Sequence, residues 1–163
     1  MPPLRLLVTG GSALKPYHVT TPSGSKRGEI RRPTWPMQPT ELDYEGNQYQ
    51  VRYQSTKGGF LADDSRFDMT DADNNTVAWA TKRVGEKAYE LGAGSAHYRL
   101  VNRNRWLRLH FVLEDGSGRT LGEVQETTGF SLWNRLFEIR VPESVGAPVA
   151  LFAFFLAANH TYR

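Results

Sequence analysis

The segment from Val149 to Ala158, Val-Ala-Leu-Phe-Ala-Phe-Phe-Leu-Ala-Ala, is apolar at every position and constrains the fold more than any other feature of the chain. It is about half the ~20 apolar residues that a membrane span requires, so it is expected to be buried in protein. A segment without a polar face must be enclosed on all sides. A run this short is compatible with a helix or a central strand. Pro148 at a first-turn position and the four alanines favour a helix, placed at about 148–160. Ala150, Ala153 and Ala157 recur on one side of it and give it one small face.

What encloses that helix has to come from the rest of the chain, which reads as alternating segments closed by turn residues. Tyr17 to Thr20 turns at Thr21-Pro22-Ser23-Gly24 and returns through Gly28 to Arg31. Leu42 to Tyr44 turns at Glu45-Gly46-Asn47 into Tyr49 to Tyr53, and Phe67 to Thr70 turns at 71–75 into Val77 to Ala80. Tyr98 to Val101 turns at Asn102-Arg103-Asn104 into a strand expected from Trp106 to Leu113, which turns at 115–118 into Leu121 to Val124. Leu136 to Val141 is the last strand before Pro142. Period-two alternation closed by Asp, Asn and Gly is the antiparallel hairpin pattern. Hairpins in series predict a sandwich or barrel, and the length accommodates about ten to twelve strands of ~5–6 residues. The expectation is a mainly β fold, a closed antiparallel barrel of about twelve strands around the C-terminal apolar helix. Pro33, Pro36 and Pro39 mark an edge loop, and no linker divides the chain, so residues 1–163 are read as one domain.

Composition agrees. The 163 residues are 39% apolar and 23% charged, which reads as globular. A net charge of +3, from 20 basic and 17 acidic residues, is weaker than the concentrated charge of specific nucleic-acid binders. The chain contains no cysteine, which excludes disulfides, thiol catalysis and thiolate-held metals, and fits a reducing cytoplasm. The apolar stretch near the N-terminus, Leu6 to Val8 with Leu4, is too short for the core of a signal peptide.

Three stretches carry a family resemblance: Phe67 to Asp73, Phe111 to Gly116 with Leu121 to Val124, and Phe137 to Pro142 leading into the apolar helix. Together they resemble the tubby C-terminal-like superfamily, which includes the scramblases and the LURP-one-related proteins, over roughly Leu42 to Tyr162. The resemblance implies a barrel around a central helix and a binding module. It brings phosphoinositide binding in the tubby branch and proposed lipid scrambling in the scramblase branch. The scramblase cysteine cluster is absent and the tubby phosphoinositide-binding positions have no counterpart here, so no site residue follows from the resemblance.

The residues themselves offer few chemical sites. Asp71-Ala72-Asp73-Asn74-Asn75 opens like a calcium loop, but Thr76 and Lys82 stand where such a loop needs glycine and glutamate, so a hairpin turn is expected. Val8-Thr9-Gly10-Gly11-Ser12 and Gly92-Ala93-Gly94 lack the helix that a dinucleotide turn must open. His18, His97, His110 and His160 lack metal-ligand spacing, and His110 is expected to be a satisfied imidazole in a strand. Asp63-Asp64 reads as a solvated loop. No catalytic residue, metal or cofactor is therefore expected. Two basic groups lie beside tryptophans: Lys26, Arg27, Arg31 and Arg32 near Trp35, and Arg103, Arg105 and Arg108 around Trp106. From these, Arg31, Arg32, Arg103 and Arg105 are the candidate contacts for an anionic ligand; strand edges also carry such charges simply to block aggregation.

The functional expectation is a non-enzymatic binding module that recognises an anionic phospholipid surface or a protein partner. It would be cytoplasmic or peripheral at a membrane, with no transmembrane span, no specific nucleic acid and an unassigned oligomeric state. A small enzyme with a dispersed site, or a structural and assembly protein, are the alternatives.

Overall fold

The computed structural model describes residues 2–10, 15–33, 38–57, 63–104, 108–127 and 135–160, with the side chains of 55–57, 63 and 160 left aside. Twelve strands close into one antiparallel barrel: β1 (Leu4–Gly10), β2 (Tyr17–Thr20), β3 (Lys26–Arg31), β4 (Thr40–Tyr44), β5 (Asn47–Lys57), β6 (Asp63–Asp71), β7 (Thr76–Lys82), β8 (Ala88–Ala93), β9 (Ala96–Asn102), β10 (His110–Asp115), β11 (Thr120–Glu126) and β12 (Arg135–Val141). Each strand pairs with its sequence neighbours, and β1 closes the ring on β12 in register from Leu4↔Val141 to Gly10↔Arg135. A 3₁₀ turn at Glu143–Val145 and Gly146, whose φ of 84° suits glycine, redirect the chain into helix α1 (Ala147–His160).

Alternation decides which side chains meet the helix. Leu6 and Val8, Phe67 and Met69, Phe111 and Leu113, and Phe137 and Ile139 point inward and are at most 2% exposed. Inside them, Val149 to Ala158 of α1 are buried without exception. The Phe154 ring meets Tyr17 and Phe137 at 5.2 and 5.1 Å in edge-to-face geometry, and Phe155 meets Phe67 at 5.7 Å. At about 4.8 Å between strands and about 40° of tilt, twelve strands make a ring roughly 24 Å across. A helix about 10–12 Å wide fits that space with one layer of wall side chains around it.

The two ends of the barrel differ. Connections of two to five residues join β2–β3, β4–β5, β6–β7, β8–β9 and β10–β11 at the end where the chain turns into α1. At the opposite end, where α1 finishes, connections of five to eight residues join β1–β2, β3–β4, β5–β6, β7–β8, β9–β10 and β11–β12.

The barrel and its central helix match the sequence reading, and two strands are additional. β1 lies in the stretch weighed as a leader, and β8 has the burial order buried, buried, half-buried, which breaks simple alternation. The strand expected from Trp106 begins as regular β10 only at His110, with Arg108 in an isolated bridge.

Candidate functional site

The lumen is filled. Leu151, Phe152, Phe154 and Leu156 are fully buried, and the wall side chains pack directly on them. Any ligand therefore meets the outer wall or an end of the barrel.

The sequence-derived cations are not brought together. Arg31, at the end of β3, donates from Nη2 to Asp43 on β4, and its Nε lies 3.7 Å from Glu41 and 3.9 Å from Glu29. The Asp43 hydrogen bond and charge push the Arg31 guanidinium above its ordinary value. Arg32 turns toward the lumen side: it donates to the Tyr17 hydroxyl and covers the Tyr17 ring at 4.6 Å, which in turn packs on Phe154. Arg103 follows β9 and lies 3.8 Å from Glu114. In the ring of twelve, the β3–β4 and β9–β10 connections are six strands apart, so Arg31 and Arg32 stand on the opposite wall from Arg103. Arg105 lies outside the described residues.

The same pairing runs across the outer wall. Arg5 bonds Glu138 at 2.7 Å, Lys26 bonds Glu29 at 2.9 Å, Arg27 bonds Glu45 at 3.0 Å and Arg66 bonds Asp68 at 3.0 Å. His18, His97 and His110 sit 3.4, 3.1 and 3.0 Å from Glu29, Glu90 and Glu123. His110 thus faces outward with a carboxylate partner. Exposed pairs of this kind, within a strand or between neighbours, contribute about 0–1 kcal/mol each, and their main effect is to cancel charge locally.

The two turns rich in Asp hold no open ligand set. Asp71 accepts from the backbone N–H of Asp73 and Asn75, both at 2.9 Å, and Asp115 accepts from the N–H of Ser117 and Arg119 and from the Ser117 hydroxyl. These bonds hold both carboxyls below their ordinary value, led by the Asn75 N–H at Asp71 and by the Ser117 hydroxyl at Asp115. Asp64 accepts from the Val84 N–H at 3.3 Å, while the side chain of Asp63 is not described. Among the described residues no group of three His, Asp or Glu side chains converges as a metal site.

Among the described residues one charged pair is inside the wall, and nothing in the local sequence marks it. Glu126 on β11, 5% exposed, accepts two hydrogen bonds from Arg135 at the start of β12, at 2.8 and 2.7 Å, and one from the Leu109 N–H at 3.3 Å. Leu109 N–H and C=O both bond to residue 126, so the pair clasps the β9–β10 connection to the β11–β12 rim. Burial alone would push the Glu126 carboxyl up; the Arg135 hydrogen bonds, the Leu109 N–H and the Arg135 and Arg108 charges outweigh it and hold the group down. A carboxylate locked ionised by arginine is a poor proton donor at neutral pH, and the arrangement is that of a structural clasp.

An open groove of 640 Å³ lies at the short-turn end, and its lining includes Pro3, Leu121, Val141 and Pro142 together with Glu123, Arg140 and Glu143. A second, of 370 Å³, runs between the β4–β5 and β6–β7 turns beside Tyr49, Asp71 and Val77.

Compared with known proteins, the chain matches no family model, no curated protein and no solved structure.

Proposed function

We propose that this protein is a non-enzymatic binding module of the tubby-like, LURP-one-related type, which meets an anionic phospholipid surface or a protein partner with its outside. The observation that carries this reading is the filled lumen: α1 occupies the space in which ligand-binding barrels hold a small molecule. Two further observations support it. Asp43, Glu126, Asp71 and Asp115 are engaged in ion pairs or turn hydrogen bonds, which is structural work. Among the described residues the large apolar side chains exposed on the surface are Tyr53 and Val84, which is little for an obligate assembly interface. The groove beside Leu121 and Val141, at the short-turn end, offers a protein partner a separate surface with apolar and charged side chains.

Hydrogen exchange read by mass spectrometry tests the reading. A partner bound outside should protect connection and outer-strand amides and leave the α1 amides unchanged. A ligand that alters exchange within Val149 to Ala158 first would place binding in the lumen and overturn the proposal.

A further inference from the structure

The charges of the barrel are sorted by end. At the long-connection end the described connection residues supply Lys15, Arg32, Arg83, Lys87, Arg103 and Arg108 against one carboxylate, Glu86. At the short-turn end the turns supply Glu45, Asp73 and Glu143 against Arg119. A chain with a net charge of only +3 therefore carries five positive charges in the described connections at one end and two negative charges in the turns at the other. Within the rim Arg32 is turned onto Tyr17 and Arg103 lies 3.8 Å from Glu114, so Lys15, Arg83 and Lys87, with Arg108, carry the charge the rim presents. At the strand ends beneath it Asp43 holds Arg31, Glu126 holds Arg135, and Asp64 accepts from the Val84 N–H. The cations also stand around the rim rather than on one side of it. Lys15, in the β1–β2 connection, is six strands from Arg83 and Lys87 in the β7–β8 connection, across a ring roughly 24 Å wide. A single phosphate or headgroup reaches one side of such a rim, whereas an extended anionic plane reaches all of it.

Between Arg83 and Lys87 lies Val84, 54% exposed. An apolar side chain flanked by basic ones fits the boundary between lipid headgroups and acyl chains, and has no counterpart on a polyphosphate backbone. We infer that the protein docks end-on to an anionic lipid bilayer, with the long-connection rim facing the membrane, the axis of α1 toward it and the short-turn end outward. This rests on the surface-binding reading above and names its partner and its face.

The test uses the full chain and vesicles of phosphatidylcholine with and without phosphatidylserine. A basic residue near such a surface is worth about fivefold in affinity. Lys15→Ala and Lys87→Ala should therefore each weaken association with the phosphatidylserine vesicles about fivefold. The triple variant Lys15→Ala/Arg83→Ala/Lys87→Ala should weaken it on the order of 100-fold, and Arg119→Ala should leave it unchanged. Because the chain has no cysteine, Val84→Cys and Ser117→Cys give single labelling sites at the two ends. A polarity-sensitive dye at position 84 should shift to the blue on phosphatidylserine vesicles, and one at position 117 should not. Loss at only one of Lys15 and Lys87 would mean side-on contact, and equal loss at Arg119 would mean unoriented charge attraction; either overturns the inference and leaves the surface-binding reading standing. So does no binding by the wild type, or tighter binding to duplex DNA than to the vesicles.

Discussion

Glu126 and Arg135 face each other across the β11–β12 rim in a two-pronged ion pair of 2.8 and 2.7 Å, and their side chains are 6% and 16% exposed. Removing one partner of a buried pair leaves the other charged and unmatched, at a cost of about 3–5 kcal/mol. Arg135→Ala is accordingly expected to destabilise the protein by about 3 kcal/mol, the lower figure because Arg135 retains some contact with water. Denaturant melts would show it as a lower midpoint at unchanged slope. A loss below ~1 kcal/mol would mean the pair behaves as a surface one.

The same pair sets a pH dependence. Glu126, Glu29 and Glu138 are all held below the ordinary 4.5: at Glu126 the arginine and N–H contacts overcome burial, at Glu29 the Lys26 hydrogen bond leads, and at Glu138 the Arg5 hydrogen bond leads. A carboxyl depressed in the folded state stabilises it fully above the unfolded value of about 4.3, and this is lost as pH falls through the folded value. Stability should be flat from neutral pH to about 5 and decline below it. Glu126→Gln should be less stable at pH 7 and lose less on acidification. Parallel slopes for the two proteins between pH 5 and 3 would show that Glu126 contributes nothing to the acid limb.

Two glycines on the wall are places where no side chain fits. A Cβ on Gly122 would lie 2.1 Å from the Arg140 carbonyl oxygen, and one on Gly28 2.0 Å from that of Asp43. The obstacle in both cases is a neighbouring strand's backbone, which cannot rotate aside. Gly122→Ala and Gly28→Ala should each cost at least the ~1–3 kcal/mol typical of overpacking. Gly116→Ala meets open space and serves as the control, with a melting temperature close to wild type.

How much of this was legible follows from the period of the signal. β5 from Tyr49 to Gln54 and β12 from Phe137 to Val141 alternate apolar and polar residues, and the helix announces itself by having no polar face, so the barrel and its filling could be read directly. β8 could not, because Ala88-Tyr89 and Leu91-Gly92 place buried residues side by side. The candidate site was legible only as composition. Arg31 and Arg103 look alike in sequence, and only the strand order shows that they occupy opposite walls and that Asp43, twelve residues from Arg31, cancels one of them. Arg135 and Glu126 carry no local mark of burial, because their pairing depends on where two strands meet.

Arg31 gives a prediction that separates charge from site. Its three carboxylate neighbours already surround it, so Arg31→Ala removes an exposed ion pair worth about 0–1 kcal/mol and should leave the salt dependence of vesicle association unchanged. A fivefold loss of binding in this variant would return the β3 wall to the centre of the ligand question.

The helix offers the most demanding test of the architecture. Phe154 is fully buried and its ring packs edge-on against both Tyr17 and Phe137, which come from β2 and β12 on either side of β1. The side chain therefore ties the seam where the first and last strands close the ring. Phe154→Ala leaves a cavity at that seam, and backbone pairing from Leu4↔Val141 to Gly10↔Arg135 prevents the wall from collapsing into it. The expected cost is about 3–5 kcal/mol. Phe154→Leu, which keeps most of the volume, should cost less than half of that. Removing residues from Pro148 onward takes away Phe152, Phe154 and Phe155 together and leaves a ring of inward apolar side chains facing water, so the truncated chain should aggregate or lose its cooperative melt. A truncated barrel that stays monomeric and melts near the full-length temperature would show that the helix is an appendage rather than the core around which the twelve strands close.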